Sequence, residues 1–76
     1  MAKSALAEQL LSIIEGSHEM STKELMDAVN PIVVEVELDE TMKTSRKLKI
    51  FDLFTRMYNC SEKERRKYGK KISRLL

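Results

Sequence analysis

The sequence predicts an all-α protein, a small bundle of four to five short helices that we expect to be dimeric. Three segments repeat apolar residues at helical intervals, so each would carry one apolar stripe. These stripes begin at Leu6, Ile50 and Tyr68. Only one segment, residues 31–42, alternates apolar and polar residues as a strand does. A bundle of amphipathic helices is therefore the favoured architecture.

The first helix is marked by its stripe and by both of its ends. Its apolar residues follow the spacing i, i+4, i+7, i+8: Leu6, Leu10, Ile13 and Ile14. Ser4 is a suitable N-terminal cap, and Gly16 is a suitable residue at which the helix can end.

The second helix begins with two start signals at once. Ser21 and Glu24 have the spacing of a capping box, in which each side chain bonds the backbone N–H of the other residue. Met20 and Leu25 occupy the positions of a hydrophobic staple. The residue before Pro31 is disfavoured in the α region, so we expect the helix to close there.

Residues 31–42 fit two local structures. Their alternating apolar positions are Ile32, Val34, Val36 and Leu38. This is strand periodicity, but a strand here would have no partner within one chain and would have to pair across a dimer. Alternatively, Asn30 caps a new helix that has Pro31 at its favoured first position. We expect the helix.

The segment from Ser45 to Tyr58 is predicted to form the core and the dimer interface. Its apolar arc is too broad for a surface helix of one small chain, and it consists of Ile50, Phe51, Leu53, Phe54 and Met57. Its polar side consists of Lys49, Asp52, Thr55 and Arg56. We expect a homodimer with this helix at or near the interface. Aromatic and methionine stripes of this kind usually form core, so we assign them no ligand site.

The last sixteen residues are predicted to form an amphipathic helix with one apolar face and one cationic face. Their sequence is SEKERRKYGKKISRLL. At about 100° per residue, one arc is apolar and holds Tyr68, Ile72, Leu75 and Leu76. The opposite arc holds six basic residues: Lys63, Arg66, Lys67, Lys70, Lys71 and Arg74. Ser61 and Glu64 have the spacing of a second capping box. Gly69 weakens the helix and is expected to hinge or end it.

Charge is strongly divided along the chain, although its formal net charge is only +2. Residues 1–42 hold two basic residues against nine acidic ones, a balance of −7. Residues 43–76 hold twelve against three, a balance of +9. Such asymmetry points to nucleic acid or an acidic protein surface as the partner. A solvated face without a partner would also account for it. So would neutralisation of the basic half by the acidic half, either of the same chain or of a second copy.

Length and composition exclude several classes of protein. Seventy-six residues make a single helical domain, 1–76, with an acidic N-terminal half and a basic C-terminal helix. Cys60 and His18 are each the only residue of their type, so we expect no disulfide, no metal site and no cofactor. Nothing resembles a catalytic constellation, so we do not expect an enzyme. We also expect no membrane span and no signal peptide, and therefore a cytoplasmic protein, or a nuclear one in a eukaryote.

These observations predict a small regulatory nucleic-acid-binding protein, of the kind that regulates transcription, that uses its basic C-terminal helix. Basic residues near the preceding helix are expected to assist: Lys43, Arg46, Lys47 and Lys49. Lysine and arginine on one helix face can neutralise phosphates and release counterions. The alternative is a helical adaptor or inhibitor that binds and modulates another protein, with the charge division steering association.

Overall fold

The computed structural model describes residues 5–76 and consists of helices. Four α-helices follow one another: α1 (Ala5–Glu15), α2 (Thr22–Leu38), α3 (Thr44–Asn59) and α4 (Glu62–Leu75). A short 3₁₀ helix, Ser17–Glu19, lies between α1 and α2, and the described residues contain no strand. The predicted all-α bundle is confirmed.

The four helices form a ring in which each one packs against two neighbours. Contacts join α1 to α2, α2 to α3, α3 to α4, and α4 back to α1. Consequently α2 and α4 lie diagonally across the bundle, with α1 and α3 between them. All four helices contribute to one cluster of buried apolar side chains: Leu10, Ile14, Leu25, Val29, Ile32, Val36, Ile50, Phe54, Met57 and Ile72.

Helix α1 matches its predicted stripe. Leu10 and Ile14 are buried, while Leu6 and Ile13 are half-buried against the same core. The helix ends at Glu15, directly before Gly16. The predicted cap Ser4 lies outside the described residues.

Helix α2 begins as predicted and ends eight residues later than predicted. Both hydrogen bonds of the capping box between Ser21 and Glu24 are present, each at 3.1 Å. The prediction that the helix closes before Pro31 is wrong, because one helix continues through this residue to Leu38. Pro31 has no N–H to donate to the carbonyl of Asp27. Both residues are exposed, so water can reach that carbonyl and the loss is tolerated.

The alternation within residues 31–42 does not form a strand. Ile32 and Val36 are fully buried, whereas Val34 is 39% exposed and Leu38 is 70% exposed. Two residues four apart share one face of a helix, which explains this pattern. The helical interpretation is right as far as Leu38, and the helix then stops at Asp39.

Helices α3 and α4 follow after short connections. Helix α3 has the predicted polar side, and its Arg56 side chain pairs with Asp52 at 2.9 Å.

At the start of α4 the predicted capping box is absent. The Ser61 hydroxyl donates to the Glu64 carboxylate at 3.4 Å and does not cap the Glu64 N–H, which bonds the Ser61 carbonyl at 3.0 Å. Helix α4 continues through Gly69, so the prediction that it ends there is wrong.

Candidate functional site

The candidate site is a cationic face on α4. It is formed by the six basic residues that the sequence placed on one arc: Lys63, Arg66, Lys67, Lys70, Lys71 and Arg74. All six are exposed, and together they line one open groove on the surface. From the first residue to the last, the helix rises by roughly 16 Å. The structure therefore brings the predicted residues together into one continuous surface.

The buried side of α4 sets the direction of this face. Ile72 is fully buried, while Tyr68 and Leu75 are half-buried against the core. These residues lie opposite the basic arc, so burying them turns the six cations toward solvent. One aromatic ring contacts the face. The Lys71 ammonium lies 5.6 Å from the centroid of the Tyr68 ring, the cation–π contact found among the described residues.

Gly69 lets α4 approach α1 closely. It is buried, and a Cβ at this position would lie 2.7 Å from Cγ1 of Ile14. Carbon atoms normally pack at about 3.5–4.0 Å, so only glycine fits here without displacement. The residue is therefore required for packing between two helices, a role that its helix propensity did not predict.

Arg65 is the one basic residue of α4 that is not part of the cationic face, and it has a structural role. Only 4% of it is exposed, and its Nη1 donates to the carbonyls of Ser17 at 2.5 Å and Met20 at 2.8 Å. This ties α4 to the connection between α1 and α2. Among the described residues its Nε has no hydrogen-bond partner. The spacing of Arg65 indicates its burial. It lies three residues before Tyr68 and seven before Ile72, so it shares the buried face of the helix with them.

The charges of the cationic face are not neutralised by ion pairs within residues 5–76. The ion pair there joins Arg56 to Asp52, and the His18 ring lies 3.7 Å from the Glu19 carboxylate. Neither contact involves a residue of the face. Glu15 lines a surface depression with Arg66 and Lys70, but it forms no ion pair with either. The sequence left open that the acidic half pairs directly with the basic half. Among the described residues, no such ion pair attaches α4 to the rest of the bundle.

The basic residues expected to assist lie elsewhere. Arg46 and Lys49 are exposed on α3, Lys43 is exposed just before it, and none of them lines the groove. Lys47 is half-buried, and its ammonium donates to the carbonyl of Glu37 at 2.9 Å. This hydrogen bond satisfies a carbonyl in the last turn of α2.

The five residues predicted at a dimer interface are partly used within one chain. Ile50 and Met57 are fully buried and Phe54 is 2% exposed. Phe51 and Leu53 are half-buried against the same core. One chain therefore covers the three buried residues by itself, and the homodimer stays a prediction.

The remaining polar candidates do not form a reaction centre in the described part of the chain. His18 is exposed beside Glu19, at 3.7 Å between Nε2 and Oε1. The Cys60 thiol donates to the Met57 carbonyl, and partial burial raises its pKa, which lowers its nucleophilicity at neutral pH. No group of three His, Cys, Asp or Glu side chains in residues 5–76 is placed to hold a metal ion. None of the described helices is both long and apolar enough to cross a membrane.

Comparison of the chain with protein-family models, with curated proteins and with solved structures finds no match in any of the three.

Proposed function

We propose that this protein is a small regulatory protein that binds nucleic acid through the cationic face of α4. The observation that carries the proposal is a row of six exposed cations on a helix anchored by Arg65 and Ile72. None of the six forms an ion pair with another described residue. Like charges at i,i+3 and i,i+4 each cost about 0.2–0.5 kcal/mol in a helix. A polyanion would relieve this repulsion and would release counterions on binding.

The composition of the face favours recognition of phosphates over bases. It contains four lysines and two arginines, and no asparagine or glutamine. Bidentate reading of adenine would need an amide side chain, whereas Arg66 and Arg74 can bind guanine or phosphate equally well. We therefore expect binding with little sequence preference.

The shape of the face favours duplex DNA. The major groove of B-DNA admits an α-helix, whereas the major groove of A-form RNA is too narrow for side chains to read. Arg66 and Lys71 lie at opposite edges of the arc, roughly 140° apart around the helix axis. A helix in a groove has phosphates on both flanks, and these two edges would face them.

The test is the salt dependence of binding to random-sequence duplex DNA, measured by fluorescence anisotropy. A variant with Ala at Arg66, Lys67, Lys70 and Lys71 should lose nearly all binding. Single replacements should each reduce the log–log salt slope on duplex DNA by roughly 0.9 in magnitude. Thermal unfolding of the quadruple variant should show unchanged or slightly higher stability, because repulsion is removed.

A matched control removes four positive charges elsewhere. Lys23, Lys43, Arg46 and Lys49 are all exposed and lie outside the groove. Their replacement by Ala should weaken binding much less than the quadruple change on α4. An equal loss in both variants would refute a localised face. Negligible binding of the unmodified protein to both DNA and RNA would refute the proposal and favour the adaptor or inhibitor that the sequence left as the alternative.

A further inference from the structure

An apolar row lies on the exposed side of α2. Pro31, Val34 and Leu38 follow the spacing i, i+3, i+7, and Leu38 is 70% exposed. Such positions on a surface helix are normally polar. Leu6 of α1 lies beside this row, where it lines a surface depression with Leu38. Single exposed apolar residues need no explanation, but several in one row indicate a contact surface.

Carboxylates surround the exposed end of this row. Three acidic residues line the depression with Leu6 and Leu38: Glu35, Asp39 and Glu40. Within residues 5–76 none of them forms an ion pair. Hydrogen bonds from Thr41 lower the pKa of Asp39, so it stays ionised at neutral pH. We name this surface the acidic–apolar face; it comprises Leu6, Val34, Glu35, Leu38, Asp39 and Glu40.

We propose that the acidic–apolar face of one copy binds the cationic face of α4 in a second copy. The charges of the two surfaces are complementary, and within residues 5–76 neither surface forms an ion pair. Lysine and arginine carry long apolar stems below their charged ends, so they can cover Val34 and Leu38 while their heads reach the carboxylates.

The bundle itself keeps the two faces of one chain apart. Helices α2 and α4 lie diagonally across it, so the complementary partner must come from another molecule. The contact is between unlike surfaces, and it either closes into a ring of copies or extends head to tail. It differs from the predicted interface on α3, whose main apolar residues are buried in the core.

This inference does not depend on nucleic-acid binding, although both use the cationic face. If both hold, self-association and nucleic-acid binding compete. Sedimentation of the protein alone involves no nucleic acid, so self-association can fail without affecting the proposed function. Nucleic-acid binding can likewise fail without affecting self-association.

The experiment is sedimentation velocity across a concentration series, in low salt and in high salt. The unmodified protein should associate at low salt and dissociate at high salt, because exposed charge pairs are screened. Two variants should each be monomeric. One replaces Glu35 and Glu40 by Gln and Leu38 by Ser, and the other replaces Lys67, Lys70 and Lys71 by Gln.

A mixture of the two variants provides the decisive measurement. Each variant keeps the face that the other has lost, so a 1:1 mixture should form a heterodimer and grow no further. The matched control replaces Glu8 and Glu19, two exposed carboxylates outside the acidic–apolar face, by Gln and should associate as the unmodified protein does. A monomer at all concentrations in low salt, or a mixture that stays monomeric, would overturn the inference. Association that persists in both variants alone would equally overturn it.

Discussion

The contact between Gly69 and Ile14 gives the sharpest test of how α4 is held. A Cβ at Gly69 would meet three side-chain atoms of Ile14, at 2.7 Å from Cγ1 and 3.2 Å from both Cδ1 and Cγ2. The nearest distance is about 1 Å shorter than a normal carbon contact. Cγ1 is bonded directly to the Cβ of Ile14, a residue only 4% exposed, so it can move away only if the rotamer or α1 itself shifts.

The magnitude of Gly69→Ala follows from two opposing effects. Alanine is the better helix former by about 0.5–1 kcal/mol. Overpacking a buried contact costs about 1–3 kcal/mol. The difference is a net loss of up to about 2.5 kcal/mol, with a middle value of about 1 kcal/mol. A single core of this size supplies about 3–5 kcal/mol, so the loss would be a large fraction of the free energy of unfolding.

Urea unfolding followed by far-UV circular dichroism measures this change in the free energy of unfolding directly. In thermal unfolding, the melting temperature should fall by about 4–8 °C for each kcal/mol lost. The matched control is Gly16→Ala, because Gly16 has φ −96° and the nearest atom to a new Cβ is the Ile13 carbonyl oxygen at 3.9 Å. The control should be neutral or stabilising by about 0.4–1 kcal/mol. A gain in stability for Gly69→Ala would refute the close packing of α4 on α1.

Two further predictions concern the core and one surface carboxylate. Phe54→Ala should cost about 3–5 kcal/mol, because Phe54 is 2% exposed in the core. That is nearly all the stability of a core of this size, so the variant should be largely unfolded in water by far-UV circular dichroism. A loss of only a few tenths of a kcal/mol in urea unfolding would show that α3 is misplaced. Thr41→Val removes the hydroxyl that donates to Asp39 at 2.6 Å, so the pKa of Asp39 should rise toward its ordinary value in a carboxyl NMR titration. Because the folded-state pKa of Asp39 is lowered, its contribution to stability is present at neutral pH and is lost as the pH falls below about 4. In Thr41→Val that loss should be smaller and should be complete at a higher pH, because the folded-state pKa lies closer to the unfolded-state value. An unchanged titration would contradict the hydrogen bond.

The cationic face is a feature that helical spacing in the sequence predicts correctly. Its six residues were identified from helical spacing, and the structure places all six in one exposed groove. The spacing was sufficient because Ile72 and its neighbours on the opposite arc are buried in the core, which fixes the rotation of the helix. Start signals were less dependable. The capping box formed at Ser21 and did not form at Ser61, although both sequences meet the same rule.

Helix α2 shows where local rules fail. Pro31 predicted a helix end, and the alternation after it permitted a strand. Burial of Val29, Ile32 and Val36 on one continuous face holds the helix together through the proline. Apolar burial contributes about 1.5–3 kcal/mol for each such side chain. Three of them together outweigh the cost of about 3 kcal/mol for a proline inside a helix, which comes from the lost hydrogen bond and the clash with the i−4 carbonyl. The proline itself lies on the exposed side, so nothing in the packing opposes it.

The sequence by itself determined the helical class, the division of charge and the residues of the cationic face, because each depends on composition or on spacing within one helix. Only the tertiary structure decided that Arg65 is buried against the carbonyls of Ser17 and Met20, and that Gly69 is needed against Ile14. It also placed α2 and α4 diagonally, which keeps the acidic and basic surfaces apart. These features depend on which helices are neighbours, and spacing along one helix carries no information about the surface that packs against it.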